Sequence, residues 1–395
     1  MKKVLAVVLA LVMVFSLAAC GEKKEESKTI KFGMVCIGNP GLAYDSNFID
    51  AANAAAENLK AQGYDVEWIP KYDIKEDAAA VKTANEELVE AGCVAVFNNS
   101  YGFEPYMLEV AKENPEVQFV GMTNCAGAFD ALDNTSNAFA RIYEARYLAG
   151  VAAGMKLNEL GETKLGYVGA FTFAEVISGY TAFYLGAKSV CPEATMDVYF
   201  VGSWSDAEKE AQAAEVLINQ KGCKVISQHS DNVTPATTAE KFGVYHVGYN
   251  RDMTNEAAKA SIISARIDWT KYFEYALKTV CDGGKLDPDY CHGLAEGEVA
   301  LTALNEAIAA PGTAEAIANA QAALIDGSVK LFDMNQVTVN GEHVKEAFAR
   351  DTDGDFAGDT DQCITAEGIF EESKYQSAPY FALRIDGINL VNEAY

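Results

Sequence analysis

The chain has 395 residues, half of them apolar, and a formal net charge of −26. At the usual domain size of roughly 100–200 residues, this length is enough for two units that each bury a core. The negative charge repels phosphate backbones and anionic lipid headgroups, so the composition disfavours nucleic-acid binding and electrostatic attachment to a membrane. A neutral or cationic small molecule is the kind of ligand that this charge favours.

The first residues have the order of parts of an export signal. Lys2-Lys3 precedes the apolar run Val4 to Phe15, and small residues follow it. An apolar core of about 7–15 residues is too short to cross a bilayer roughly 30 Å thick as a mature helix. Leu17-Ala18-Ala19-Cys20 resembles a bacterial lipobox. That resemblance implies a signal peptide over residues 1–19 and an acylated Cys20; an ordinary cleaved signal without lipid is the alternative.

The polar residues 20–28 follow at once and predict a tether between a lipid-modified Cys20 and the folded part. Eight more cysteines occur, and five of them lie in or beside apolar segments, where a free Cys behaves as a small hydrophobe. The disulfide state stays open. No Cys-x-x-Cys pair and no Cys/His cluster has zinc spacing, so the sequence predicts no metal site and no cofactor.

From Thr29 onwards, short apolar runs alternate with segments of helical period, which is typical of a parallel sheet covered on both faces. Helices are predicted over 138–156 and 269–280, and a last apolar stretch over 329–335. The strands are predicted at residues 29–37, 65–69, 93–98, 117–122, 164–171, 195–201, 224–228, 243–249 and 261–267.

Four strands precede the helix predicted from Ala138, and the pattern restarts at Lys164. We therefore expect an α/β protein with the type I periplasmic-binding-protein fold, in which two doubly wound parallel-sheet lobes are joined by a multi-strand hinge. The predicted N-terminal lobe comprises residues 29–141 with 263–311. The predicted C-terminal lobe comprises residues 142–262 with 312–395.

Doubly wound sheets bind ligands just past the carboxyl ends of their strands. At these ends the sequence places amides, carboxylates and aromatic rings together, which is a combination suited to a flat heteroaromatic ligand. Aromatic rings offer stacking faces worth roughly 1–3 kcal/mol per base, and a carboxylate that accepts from a ring N–H makes a charge-assisted hydrogen bond. The candidates from the strand ends include Asn39, Asn99, Tyr101, Trp204, Asp231 and Asp252.

Five segments lie in order along the predicted strand and helix ends: Gly41–Phe48, Phe139–Gly150, Gly179–Ala187, Val201–Asp206 and Gly248–Asp252. Together they resemble the basic membrane protein family of bacterial lipoproteins, the purine-nucleoside and purine-base receptors of ABC importers. The resemblance covers nearly everything from residue 31 to about residue 335.

The resemblance implies roles for residues of both lobes. Phe48 matches the ring that stacks on one face of the base, and Trp204 matches the ring that covers it from the other lobe. Asp45 matches an acid of the first turn that faces the ligand, while Tyr101 lies on a loop that lines the cleft. The structural alternatives are a core position for Phe48 and an N-cap role for Asp45.

The residues that would contact a sugar match the family pattern only in part. The resemblance implies that Asp252 is the acid near the sugar side, whereas two other positions depart from the pattern. Tyr44 stands where many nucleoside-binding members have Asp, and the family's sugar-contacting Lys is absent unless Arg266 substitutes for it. A free purine base is therefore a serious option beside a nucleoside.

The resemblance implies a lipid-anchored, extracytoplasmic, monomeric solute-binding protein on the outer face of the cell membrane, served by an ABC permease and its ATPase. A surface nucleoside hydrolase and a sensory co-receptor of the same fold are the alternatives. The chain has no Walker A sequence and no G-x-S-x-G elbow, so we predict no enzyme. The acidic stretch 351–361 lacks the Gly and Glu of an EF-hand at positions six and twelve. We interpret it as a solvated turn, with calcium as the alternative.

Overall fold

Six parallel strands form the first sheet of the computed structural model, which describes residues 29–122, 132–349 and 361–395. These strands are β1 (Ile30–Val35), β2 (Val66–Lys71), β3 (Cys93–Asn98), β4 (Gln118–Met122), β5 (Thr135–Ala140) and β11 (Asp289–His292). Their order across the sheet is β11-β5-β4-β3-β1-β2. We call this sheet and the helices on it the first lobe.

Seven strands form the second sheet, and all its pairs are parallel except that of β12 with β10. The strands are β6 (Lys164–Gly169), β7 (Thr195–Phe200), β8 (Val225–His229), β9 (Tyr245–Tyr249), β10 (Ser261–Ile267), β12 (Val299–Leu301) and β13 (Ile388–Leu390). Their order is β12-β10-β9-β8-β6-β7-β13. This sheet and its helices are the second lobe, and the predicted α/β architecture of two parallel sheets is confirmed.

Helices cover both sheets, as the alternating sequence pattern predicts. None of those in the described ranges combines the length and the apolar content that a membrane span requires. They are α1 (Ala43–Lys60), α2 (Ala78–Glu90), α3 (Glu104–Glu113), α4 (Ile142–Leu160), α5 (Ala174–Val190), α6 (Ala207–Asn219), α7 (Thr234–Phe242), α8 (Trp269–Cys281) and α9 (Thr313–Ile325).

The chain passes between the sheets after β5, after β10 and between β11 and β12. The predicted lobe boundaries need a correction here, because they place residues 263–311 in the first lobe. Strand β10 pairs with β9, and β12 pairs with β10, so residues 261–267 and 299–301 belong to the second sheet. Only the stretch between them, with α8 and β11, lies with the first lobe.

Two predicted elements are wrong. The helix predicted to begin at Ala138 begins at Ile142 instead, because Thr135–Ala140 forms the strand β5. The side chain of Asn134 explains the strand start, since its amide donates to the carbonyl oxygens of Ala111, Asn114 and Val117 at 2.9–3.0 Å. The stretch 329–335, predicted as a final apolar element, forms turns and one isolated bridge.

Glycines in two of the family-like segments serve helix packing. Helices α4 and α5 approach so closely that a Cβ added at Gly150 would lie 2.0 Å from the carbonyl oxygen of Phe183. One added at Gly186 would lie 1.9 Å from the carbonyl oxygen of Tyr147. Any larger residue would force the helices apart, so these glycines fix the second lobe's core rather than contact a ligand.

The last part of the chain runs across both lobes. On the first lobe, the Ser377 N–H donates to the Asp289 carboxylate at 2.6 Å, and the Asn137 amide donates to the Ser377 hydroxyl at 2.8 Å. Phe332 and Phe381 stack with ring centroids 4.4 Å apart, and Tyr143 of α4 packs on Phe332. The chain then adds β13 to the edge of the second sheet beside β7.

Candidate functional site

A cavity lies between the lobes at the carboxyl ends of the strands, where the doubly wound topology predicts a ligand site. It encloses about 380 Å³ of empty space, its opening to solvent included. The first lobe contributes Ile37, Tyr44, Ser100 and Tyr101, and the second lobe contributes Glu175, Trp204, His229, Asp231 and Tyr249.

Aromatic rings line the cavity, and others pack behind them. Phe171 and Phe173 follow β6 and stack at 5.1 Å between ring centroids. Trp204 packs edge-on against Phe171 at 5.2 Å, so the three rings make one cluster. Tyr101 of the first lobe meets Phe173 across the cleft at 5.8 Å. Rings of the two lobes therefore meet across the cleft.

Asp231 is a carboxylate on this cavity, and its side chain is 5% exposed. Within the described parts of the chain, no hydrogen bond to either carboxylate oxygen occurs. Burial, with the nearby Asp45 and Glu210 carboxylates, raises the pKa of Asp231 well above its ordinary value. A buried carboxylate of this kind is a ready acceptor for a ligand that brings N–H groups.

The main chain of Asp231 joins the lobes. Its N–H donates to the carbonyl oxygen of Trp204 at 2.9 Å, within the second lobe. Its carbonyl oxygen accepts the N–H of Ala43, the first residue of α1, at 3.1 Å. This second bond crosses from one lobe to the other directly beside the cavity.

Asp45 lies behind the cavity rather than on it. One carboxylate oxygen accepts the Gly38 N–H at 3.1 Å and the Asn99 amide at 2.9 Å, and the other has no hydrogen-bond partner among the described residues. Helix α1 begins after Leu42, without a side-chain cap, so Asp45 does not cap it. Burial raises the pKa of Asp45 to about 6. The predicted contact of Asp45 with the ligand is thus replaced by a role in bracing the first turn.

Asn99 belongs to the same brace. Its amide oxygen accepts the Ile37 N–H at 2.9 Å, while its amide nitrogen donates to Asp45. Its side chain is fully buried, and its carbonyl oxygen accepts the Tyr44 hydroxyl. Asn99 therefore positions Ile37 and Tyr44, which line the cavity, and does not itself line it.

Phe48 occupies the core, which was the structural alternative. Its ring is 1% exposed and stacks on Trp269 at 4.7 Å between centroids. Tyr44, one helical turn earlier, packs edge-on against Phe48 at 4.9 Å and faces the cavity. The ring that α1 presents to the cavity is therefore Tyr44, and the stacking role predicted for Phe48 is not supported by its position.

Two other predicted residues also lie away from this cavity. Asn39 stabilises its own turn, accepting the Gly41 N–H at 2.9 Å and donating to Asp73 at 2.8 Å. Asp252 is exposed, accepts the Thr254 N–H at 2.8 Å and lines a separate open groove between the lobes. Arg266 lines that same groove, so the residues expected on the sugar side are not brought to the aromatic wall.

The sequence reasoning missed much of the wall that the second lobe contributes. Glu175 lies in the first turn of α5, and its carboxylate contacts the His229 ring nitrogen Nε2 at 3.1 Å. Behind it, the Arg146 guanidinium covers the Tyr249 ring at 3.6 Å and donates to the Gln228 carbonyl at 2.7 Å. Burial and Arg146 lower the pKa of His229, which keeps that imidazole neutral at pH 7. The signal for Glu175 is its place at a helix start directly after a strand end.

Metal binding finds no support in the described ranges, where no group of three or more His, Cys, Asp or Glu side chains is placed to hold an ion. The candidate calcium stretch lies almost wholly outside those ranges, which resume at Asp361. Asp206 caps α6, with its carboxylate accepting the Lys209 N–H at 3.1 Å. This cap explains Asp206 without any ligand.

A family model described as "ABC transporter substrate-binding protein PnrA-like" matches residues 33–329. Among curated proteins, a purine-binding protein of Brucella abortus (strain 2308) is 32% identical over 297 residues, which make up 74% of this chain and 80% of that protein. A putative ABC transporter glucose-binding protein of Haloferax volcanii is 34% identical over 198 residues, about half of each chain.

Solved structures show the same fold. An ABC transporter solute-binding protein from Conexibacter woesei superimposes with a TM-score of 0.61 at 21% identity, covering 76% of this chain and 97% of that one. A periplasmic solute-binding protein from Actinobacillus succinogenes with bound D-allose gives 0.52 at 13% identity, covering 69% and 97%. These likenesses confirm the predicted type I periplasmic-binding-protein fold.

Proposed function

The chain belongs to the family of PnrA-like ABC transporter substrate-binding proteins, and from that premise we propose that it captures a purine, as free base or nucleoside, in the cavity between its lobes. The observation that carries the proposal is Asp231, a buried carboxylate without a hydrogen-bond donor among the described residues, set beside an aromatic wall. The purine-binding relative from Brucella abortus supports the same ligand class.

A purine fits the chemistry of the two walls. Its flat ring system stacks on aromatic side chains, and the N–H and amino groups of adenine or guanine are donors that a carboxylate accepts. Asp231 and Glu175 both face the cavity as acceptors, whereas the nearest guanidinium, that of Arg146, is buried behind Tyr249. The cavity therefore favours a ligand that supplies hydrogen-bond donors over an anionic one.

The positions of the residues expected on the sugar side bear on whether the protein prefers a free base or a nucleoside. Asp252 and Arg266 line the separate groove, and Arg266 pairs with Asp268 at 3.1 Å. Neither of the charged groups expected on the sugar side therefore lines the cavity. We expect adenine or guanine to bind within about tenfold of its nucleoside, a gap of roughly 1.4 kcal/mol.

Calorimetry of the full chain with adenine, guanine, their nucleosides, ribose and glucose tests this proposal. Binding of a purine base, with no binding of ribose or glucose, supports the proposal. Binding of ribose or glucose alone, with no purine bound, overturns it. The same nucleoside incubations, examined by chromatography, test for hydrolysis: nucleoside recovered unchanged supports a receptor, and released free base would make the protein a nucleoside hydrolase instead.

We further propose that the chain acts as a monomer on the outer face of the membrane, held by lipid on Cys20, and delivers its ligand to an ABC permease and its ATPase. The family supports an extracytoplasmic place, and the lipobox-like segment supports the anchor. Two acyl chains hold a protein where one chain binds only marginally.

Replacing Cys20 with Ala is therefore expected to prevent lipidation, so that the protein is secreted or remains uncut at the membrane. Fractionation and the mass of the mature N-terminus measure both. A wild-type protein without lipid, whose mature N-terminus and location are unchanged by Cys20→Ala, contradicts the anchor.

A further inference from the structure

The last described residues of the chain are bonded to the loop that carries Phe171 and Phe173, the rings behind Trp204. The N–H of Thr172 donates to the Ala394 carbonyl at 2.7 Å, and the Ala394 N–H donates to the Thr172 hydroxyl at 2.9 Å. A second reciprocal pair joins Asn392 to the main chain of Phe200, with its amide oxygen accepting at 2.7 Å and its amide nitrogen donating at 2.8 Å. Four hydrogen bonds thus tie residues 392–394 to the ends of β6 and β7.

This attachment matters because of what stands on either side of Thr172. Phe171 and Phe173 are its neighbours in the chain, and both pack on Trp204. Thr172 is 4% exposed, so its side chain is buried, while the two rings pack behind Trp204, which lines the cavity. Helix α5 starts directly after Phe173 without a side-chain cap, so the loop has no cap to hold it from that end.

The part of the chain that leads to residues 392–394 also contacts the first lobe, where Ser377 bonds to Asp289 and Asn137 of the first sheet. Further along, Arg384 forms an ion pair with Glu393. The matching family model stops at residue 329, so each of these contacts involves at least one residue beyond the matched part of the chain.

We infer that residues 388–395 are a positioning element for the ligand cavity: their bonds to Thr172 and Phe200 hold Phe171 and Phe173 against Trp204. A wall held in place before binding does not have to be ordered by the ligand, which preserves affinity. The inference rests on the proposed function for the identity of the ligand. The state of the loop is measurable without any ligand.

The test compares substitutions in this segment that differ in what they touch. Asn392→Ala removes the pair with Phe200, and Thr172→Val removes the acceptor for Ala394 while keeping a β-branched side chain. Asn389→Ala is the matched control, since the Asn389 amide donates to the Asp197 side chain at 2.6 Å, on the same strand pair but away from the cavity. Thr172→Ser restores the hydroxyl and is the conservative rescue.

Amide hydrogen exchange of residues 170–175 is the first measurement, made on the unliganded full chain. We expect faster exchange and easier acrylamide quenching of Trp204 in Asn392→Ala and Thr172→Val, with Asn389→Ala and Thr172→Ser close to wild type. Equal exchange of this loop in Asn392→Ala and Asn389→Ala overturns the inference. The exchange rates are measured without ligand and can be interpreted even if the wild-type protein binds no purine. They therefore separate failure of the inference from failure of the proposed function.

Adenine or guanine affinity by calorimetry is the second measurement. Loss of a reciprocal pair of hydrogen bonds at the wall is expected to weaken binding by about tenfold in Asn392→Ala, but to leave Asn389→Ala within about twofold. An equal loss in both variants would mean that the segment acts only through stability. That outcome overturns the positioning role.

Discussion

Replacing Asp231 with Asn is expected to weaken purine binding by about 10- to 150-fold, the range of one or two hydrogen bonds to a charged group. The substitution keeps the size of the side chain but removes the charge that accepts ligand N–H groups. It leaves the main-chain bond from Ala43 to residue 231 in place, because that bond uses the carbonyl oxygen. Calorimetry with adenine and guanine measures the change.

The same substitution is expected to stabilise the unliganded protein, and more so as the pH rises. The pKa of Asp231 is raised in the folded state, so the folded protein binds its proton more tightly than the unfolded chain does. The stabilisation from that proton is present at low pH and is lost as the pH rises through the folded pKa. Asn removes this dependence, so the gain in melting temperature is expected to be larger at pH 8 than at pH 5.

Asp252→Asn is the matched control, since it makes the same change in charge on the exposed wall of the other groove. It is expected to leave purine affinity unchanged. Purine affinity that survives Asp231→Asn, or that falls equally in the two variants, would remove Asp231 from the binding site. A loss of purine binding together with a gain in stability in Asp231→Asn would show that Asp231 contributes to binding at a cost in stability.

Replacing Trp204 with Ala is expected to weaken purine binding by about 5- to 150-fold, the usual worth of one base stack of roughly 1–3 kcal/mol. Trp204 is the ring of the second lobe that lines the cavity next to Asp231, and its carbonyl oxygen accepts the Asp231 N–H, which an Ala residue also provides. The loss is therefore expected from the missing ring rather than from a displaced main chain.

Trp204→Phe separates stacking from packing in general. It keeps an aromatic face beside Phe171 and is expected to retain most of the affinity, so that binding follows the order Trp, Phe, Ala. Calorimetry with the same base gives the three values, and melting temperatures show whether the fold is intact. Affinities that are equal across the three proteins would rule out stacking on residue 204.

Topology explains why part of the site could be predicted from the sequence. Parallel strands bring their carboxyl ends to one edge of a sheet, so the residues after β3, β7 and β8 were expected to meet, and Tyr101, Trp204 and Asp231 do line one cavity. The loop after β6 ends before Glu175, which lies in the first turn of α5, so its place on the cavity does not follow from the strand-end rule alone.

Motif resemblance was less reliable at the start of helix α1, where every residue from Ala43 to Phe48 is buried or half-buried. Phe48 and Tyr44 are four residues apart and therefore lie on one side of the helix, one beneath the other. Sequence spacing does not say which of the two is nearer the cavity, and packing of Phe48 on Trp269 decides it. Trp269 stands 221 residues further along the chain, out of reach of any local pattern.

The strands that the sequence did not predict are mostly short ones at the sheet edges. Strands β11, β12 and β13 have only three or four residues each, too few for a period of two to be recognised. Each is placed by its partner strand rather than by its own composition. Because β12 pairs with β10 after a long return of the chain, the lobe boundary could not be located from the order of segments alone.

The bond from the Ala43 N–H to the Asp231 carbonyl has a consequence for how the protein can change over generations. Any residue at position 231 supplies that carbonyl, and any residue except proline at position 43 supplies that N–H. A mutation that exchanges the side chain at 231 therefore leaves this contact between the lobes in place. With Asp231 in the binding role that we propose, ligand preference can change by single substitutions at this position, without a matching change at position 43.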